Sequence, residues 1–254
     1  MKNFTTDAIN IKTYPLSEHD NIVVMFSRQK GLIKGVAKGV KRPKSKLGAR
    51  MQMLVANKLM LYEGKNLDTI CQAQALNTFG NLRRDLDKLT YSIYLAEIIG
   101  IFCTEKDSEQ DNERIYELFY KTLEGISGAE DLTGILLYVL KFQLKFMNML
   151  GYGIELETCL VCGCAIVQDP LFSTAQGGVV CEKCNADGLR VKIPTKIREF
   201  LLEITKTNID ETTKYDELVN EKVAHTCHGL LRKYIDTISP RKVKTLKVIE
   251  AVGY

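Results

Sequence analysis

Two pairs of cysteines, Cys159-Leu-Val-Cys162 and Cys181-Glu-Lys-Cys184, have the clearest capacity for chemistry in this chain. A C-x2-C pair folds as a tight knuckle presenting two sulfurs, and two knuckles complete a tetrahedron. Eighteen residues between Cys162 and Cys181 suit a four-thiolate zinc site of that kind. Gly163, directly after the second sulfur, permits the positive φ such a knuckle needs. Four thiolates leave no open coordination position, so one structural zinc ion is expected rather than a catalytic one. A nucleobase deaminase needs a His-x-Glu element, which none of His19, His225 and His228 provides, and no HExxH is present. Redox chemistry through C-x2-C is disfavoured by two tandem pairs outside a βαβ context. Cys162-Gly163-Cys164 is a second chelating possibility, but the C-x2-C-G pattern favours Cys159 with Cys162. Cys71, Cys103 and Cys227 are isolated and expected to be buried. His225 and His228, one helical turn apart, are expected in surface or capping roles because no carboxylate pattern completes a site around them.

The second chemical feature is charge. Arg28, Lys30, Lys34, Lys38, Lys41, Arg42, Lys44, Lys46 and Arg50 fall within twenty-three positions that contain no Asp or Glu. Most charge runs are solvated faces, but this one is uncompensated along the sequence, which favours phosphate binding. No recognition helix or row of Asn and Gln accompanies it, and only scattered aromatics such as Phe26 and Tyr62 could stack or fill a core. Binding tolerant of nucleic-acid sequence is expected. GLIKGVAKGVKR lacks the G-x4-G-K-[ST] pattern and no G-x-G-x-x-G occurs, so nucleotide hydrolysis has no support.

The elements that must position these residues change character along the chain. Residues 8–14, 21–27, 31–40, 51–63 and 68–76 read as five strands, with Lys34 and Lys38 on the third and a basic connection at 41–50. Gly31, Gly35 and Gly39 would weaken a helix but relieve crowding in a strongly bent strand. Five strands in under eighty residues predict a closed OB-fold β-barrel. After Gly80 the period becomes helical: Leu82, Leu86, Leu89, Ile93 and Ala96 share one face of a helix running toward Cys103. Further helices are predicted at 111–125, 131–150, 194–208 and 214–238. The fold class expected is multidomain α+β: an OB-fold barrel at 1–80, then an all-α helical domain at 81–254 carrying the four-cysteine zinc finger at about 155–190.

Charge follows the same division. Residues 1–80 hold thirteen Lys or Arg and five Asp or Glu, a local charge of +8, so the net +4 of the 254-residue chain leaves −4 for the rest. Hydrophobic residues at 45% and charged residues at 26% describe a chain able to build a core and argue against wholesale disorder. The first ten residues, MKNFTTDAIN, lack a secretory apolar segment, and the apolar stretch 132–150 is interrupted by Lys141 and Lys145. A cytoplasmic protein without membrane insertion is expected, with reduced thiols.

Residues 31–45 (GLIKGVAKGVKRPKS), Leu61-Tyr-Glu-Gly64, Leu150-Gly-Tyr152 before Cys159, Gly177-Gly178 before Cys181, and Lys244-Thr-Leu-Lys247 together resemble the bacterial RecO family of recombination mediators over nearly the whole chain. The resemblance implies an N-terminal OB-fold, a helical body and a zinc module similar to the ArfGap finger. It also implies a non-enzymatic, nucleoid-associated role in DNA repair and recombination. Such a protein binds single- and double-stranded DNA, anneals complementary strands, and with RecR, and in some members RecF, helps RecA replace single-strand-binding protein. The C-terminal tail of single-strand-binding protein is a further implied partner, held on the helical domain. Two other classes compete: a protein-interaction scaffold docking partners on residues 132–150, whose simpler reading is a core helix, and a zinc hydrolase or deaminase, which no motif supports.

Overall fold

The computed structural model describes residues 2–104, 108–167, 169–185, 190–211 and 219–245. They form two compact units, one from the described residues up to 128 together with 243–245 and the other from those between 129 and 242.

The first unit begins with five strands, β1 (Asn3–Pro15), β2 (Asn21–Ser27), β3 (Gly31–Ala37), β4 (Ala56–Tyr62) and β5 (Asp68–Asn77), closed into a barrel in the order β1-β2-β3-β5-β4. All neighbours are antiparallel except β3 and β5, whose short parallel register, Gly35 opposite Asp68 and Val36 opposite Thr69, closes the ring. Closure requires bare backbone at Gly35: a Cβ there would lie 2.8 Å from Ile70 Cγ1. Ala8, Val23, Met25, Ile33, Ala37, Leu59, Leu61 and Ile70 fill the barrel interior. In β3 the alternation is clean, with Ile33, Gly35 and Ala37 buried and Lys34 exposed.

β1 is different, because residues 8–11 are buried without a break. A bulge between Asn10 and Lys12 shifts the register, and two helices cover part of the outer face. α1 (Leu86–Phe102) packs on β1, where a Cβ on Gly100 would touch Ile11 at 3.3 Å, and α2 (Glu109–Gly128) packs on β2. Phe26 is therefore fully buried on the outer side of the sheet. Asp85 caps α1 by accepting from the Lys88 N–H at 2.9 Å.

The second unit is built on α3 (Leu132–Met149), capped by Asp131, whose carboxylate accepts from Gly134 N–H at 2.8 Å. Ile135, Leu136, Val139, Leu140, Phe142 and Phe146 are buried along it, so the apolar stretch is a core helix. α4 (Thr195–Lys206) and α5 (Glu221–Ile238) pack against it. A three-stranded sheet, in the order β7 (Gly178–Val180), β6 (Leu171–Ser173), β8 (Arg190–Lys192), completes the unit. Among the described residues no helix is long and apolar enough to cross a membrane.

Several expected boundaries move. The fourth strand starts at Ala56 rather than 51, since Ala49–Met51 is a 3-10 turn and Leu54 adopts φ 60. The third strand ends at Ala37, which puts Lys38 in a turn. Leu82 lies in a separate 3-10 turn, Gly80–Arg84, and Leu86 is 65% exposed rather than part of the buried stripe. The last helix begins at Glu221 with Asn220 as its cap; the expected helical residues 214–218 lie outside the described residues, as does the ending 246–254.

Candidate functional site

The cysteines converge as their spacing predicts. The sulfurs of Cys159, Cys162, Cys181 and Cys184 all lie within 4.8 Å of one another, and Cys162 and Cys181 are 3.8 Å apart. A tetrahedron with metal–sulfur bonds of about 2.3 Å has edges of about 3.8 Å, so the cluster can hold a metal ion of zinc's size and ligand preference. No histidine or carboxylate joins the group among the described residues, and Cys164, whose thiol neighbours those of Cys162 and Cys181, is not one of the four mutually close sulfurs.

Local backbone shapes both knuckles. Gly163, at φ +71, donates its N–H to Cys159 O at 2.8 Å, and Cys159 N–H is received by Cys164 O at 2.8 Å. Cys184 N–H closes the second knuckle on Cys181 O at 3.1 Å. Burial works to raise the Cys159 thiol, but the backbone N–H groups of Cys181, Cys162 and Val161 outweigh it and bring its pKa down to about 6. Phe172, Val179 and Val180, on the strand pair β6–β7 that leads into Cys181, are fully buried, and Val179 O accepts from Leu160 N–H at 3.0 Å. The paired glycines are required by close approach: a Cβ on Gly177 would lie 2.4 Å from the Tyr234 ring, and one on Gly178 2.9 Å from Glu155 O.

The other cysteines and the histidines separate from this centre. Cys103 and Cys227 are buried, while Cys71 is only half-buried, contrary to expectation. His225 faces Glu221 at 3.9 Å. His228 is not a surface residue: it is buried against Gln143, with Nδ1 3.3 Å from Oε1.

The nine basic residues divide into three groups. Arg28 is tied to α2, with its guanidinium 2.8 Å from both Glu113 and Glu117; burial opposes its charge, and these carboxylates more than offset that and raise its pKa. Lys30 and Lys34 line a polar hollow shared with Glu63, Asp68 and Glu109, and the Lys30 ammonium sits 3.6 Å above the Phe4 ring. Lys38, Lys41, Arg42, Lys44 and Lys46 are exposed together on one connection. Arg50 is half-buried at its end, donating to Lys46 O. The structure thus brings acids to the first two groups that the sequence run did not contain.

That connection is fixed by partners at both ends. Asp20 Oδ1 accepts from Gly39 N–H at 2.7 Å, a bond that holds its carboxyl below the usual range, and Lys41 N–H and Nζ donate to His19 O and Ser17 O at 3.1 and 2.9 Å. At the other end Asn10 Nδ2 donates to Arg50 O and Gln52 O, and Asn57 Nδ2 to Arg50 O, each at 2.8 Å. Val40 and Met51 are buried in the barrel core, and Leu47 packs against it. Sequence reasoning missed Asp20, Asn10 and Asn57, since neither a lone loop aspartate nor two strand asparagines announce a clamp.

Residues 1–79 match the family model "Recombination protein O N terminal" and residues 83–247 match "Recombination protein O C terminal". The chain is similar to the DNA repair protein RecO of Desulforamulus reducens, at 30% identity over 98% of this chain and 95% of that one. It is similar also to that of Caldanaerobacter subterraneus subsp. tengcongensis, at 31% identity over 96% and 93%, and that of Pelotomaculum thermopropionicum, at 29% over 100% and 96%. With both halves matched and nearly the full length shared, the chain belongs to the RecO family of DNA repair proteins.

Proposed function

We propose that this protein is a recombination mediator that binds single- and double-stranded DNA without sequence preference and anneals complementary strands. With RecR it helps load RecA onto DNA coated with single-strand-binding protein, whose C-terminal tail it engages, and in some settings RecF joins them. It acts at the nucleoid by binding and not by making or breaking bonds. The barrel of residues 1–80 is read as an OB-fold carrying the DNA surface, and residues 81–254 as the helical body, stapled by one structural zinc ion in the finger at about 155–190. Cys159, Cys162, Cys181 and Cys184 hold that ion; they fit it by donor type and spacing and leave no position for a water or substrate.

The observation that carries the reading is the group of exposed cations at 38–46 on a clamped connection. Annealing requires a surface that neutralises two phosphate backbones while leaving base edges free, and cations contacting only phosphates do this. The test is annealing of complementary strands coated with the cognate single-strand-binding protein. A variant with Lys38, Arg42, Lys44 and Lys46 changed to Glu is expected to lose DNA binding and annealing while keeping its zinc content and melting temperature. Unchanged DNA affinity in that folded variant refutes the proposal.

A further inference from the structure

α1 and α2 cover part of the outer face of the barrel. Beyond them, toward the loop at residues 15–20, Tyr14 of β1 stands opposite Ile22 of β2, and Ile22 opposite Val36 of β3. Directly opposed residues share a face of the sheet. The neighbouring row, Thr13, Val23 and Gly35, turns to the interior, where Val23 is fully buried. Tyr14, Ile22 and Val36 therefore form an outward row across three strands, roughly 10 Å wide at two strand spacings. Tyr14 is 43% exposed, and Ile22 and Val36 are half-buried.

Cations frame this row. The next outward row along the strands is Lys12, Val24 and Lys34, in the same register. Lys12 Nζ lies 4.8 Å from the centre of the Tyr14 ring, which steadies one face of the ring by a cation–π contact. On the other side, the loop that follows Tyr14 is bonded to the basic connection through Lys41 N–H to His19 O and Gly39 N–H to Asp20 Oδ1. Lys38, the first exposed cation of that connection, is two residues beyond Val36.

We infer that the row Tyr14, Ile22 and Val36 is a base-stacking platform for single-stranded nucleic acid, with Tyr14 receiving a base and Lys12 and the 38–46 cations receiving the flanking phosphates. The inference rests on the DNA-binding reading above and goes beyond it in naming where bases, not phosphates, are held. An apolar row between two sets of cations matches a polyanion whose apolar faces are exposed. A single strand offers such faces and a duplex hides them in its stack. The platform thus supplies the discrimination between single strands and duplex that phosphate contacts alone lack.

The test measures binding of the full chain to oligothymidylate and to a duplex of equal length by fluorescence anisotropy. Tyr14→Ala is expected to weaken single-strand binding about tenfold or more, the loss typical of one stacked base, while duplex affinity and the salt dependence of both stay as in wild type. Tyr14→Phe, which keeps the ring, should bind as wild type does. An oligonucleotide carrying 5-iododeoxyuridine should photocross-link to Tyr14 of the unmodified protein, which does not depend on how any variant folds. Tyr14→Ala binding single strands like wild type, or losing both ligands equally, overturns the platform. The same holds for cross-links that map away from β1. If the 38–46 charge reversal still abolishes binding in that case, the DNA-binding reading stands without the platform; if neither variant changes affinity, both fall.

Discussion

Arg28 and Lys44 belong to the same run of charge, yet neutralising them should leave opposite signatures. Arg28 is engaged by two carboxylates at 2.8 Å and only a third of its side chain is exposed, so meeting a phosphate would require breaking both ion pairs. Lys38, Lys41, Arg42, Lys44 and Lys46 are exposed on the clamped connection. If each meets one phosphate of a single strand, at about −0.7 per contact, log K falls with log salt at a slope near −3.5. A fourfold rise in salt, from 50 to 200 mM, then costs about a hundredfold in affinity. Lys44→Gln should flatten the slope by about 0.7 without changing stability. Arg28→Gln should leave the slope unchanged and destabilise the first unit by about 1 kcal/mol or less, because partly exposed ion pairs are screened by solvent. Anisotropy titrations at several salt concentrations, paired with denaturant melts, separate the two effects. An Arg28→Gln slope reduced as much as that of Lys44→Gln would refute the division of the run made from its partners.

Two further outcomes concern the second unit. The protein should carry about one zinc ion per chain, and Cys162→Ser should abolish that stoichiometry while Cys164→Ser preserves it, because Cys164, though beside Cys162 and Cys181, is not one of the four mutually close sulfurs; elemental analysis after dialysis decides, and zinc loss in Cys164→Ser contradicts the ligand set. For His228, burial, helped by the charges of Arg232 and His225, lowers the pKa to about 3, against 6.5 for a free imidazole. The unfolded chain then holds the extra proton between these values, so the stability His228 permits is complete above about pH 6.5 and is lost as pH falls, by up to about 1.4 kcal/mol per pH unit. His228→Asn should flatten denaturant-measured stability between pH 7 and 5, and an unchanged pH slope would remove His228 as its source.

The cysteine centre was legible because its geometry is local: two knuckles of four residues each carry their own ligands, and Gly163 supplies the positive φ. Strands were legible where alternation is undisturbed, as in β3. The basic run was legible as a run, but its chemistry was not, because Glu113 and Glu117 approach Arg28 from 85 and 89 positions away. Residues 51–55 read as a strand on composition; in the fold Asn10 and Asn57 pull Arg50 O and Gln52 O inward, and Leu54 takes φ 60 to let its N–H reach Asn10 O at 2.7 Å. Tyr14 escaped notice for a related reason. The bulge between Asn10 and Lys12 shifts which residues face outward, so counting alternation from Ile9 along the strand does not give the face of Tyr14.

The clamp on the basic connection decides what kind of binding the loop can support. A disordered basic tail must be ordered when it meets DNA, which opposes binding and makes affinity depend on the partner's ability to fold it. Here Asp20 fixes one end and Asn10 and Asn57 the other, while successive backbone bonds from Arg42 N–H to Gly39 O and from Ser45 N–H to Arg42 O, at 3.1 and 3.0 Å, keep the middle turned. The cations are held in place in the free protein, so on the proposed reading affinity for DNA should scale with their number and with salt instead of with loop folding. Phosphates repeat along any strand whatever its bases, and a fixed row of cations therefore accepts every sequence alike. A preformed surface of this kind can hold one strand while its bases remain available to a second, which is the property annealing needs.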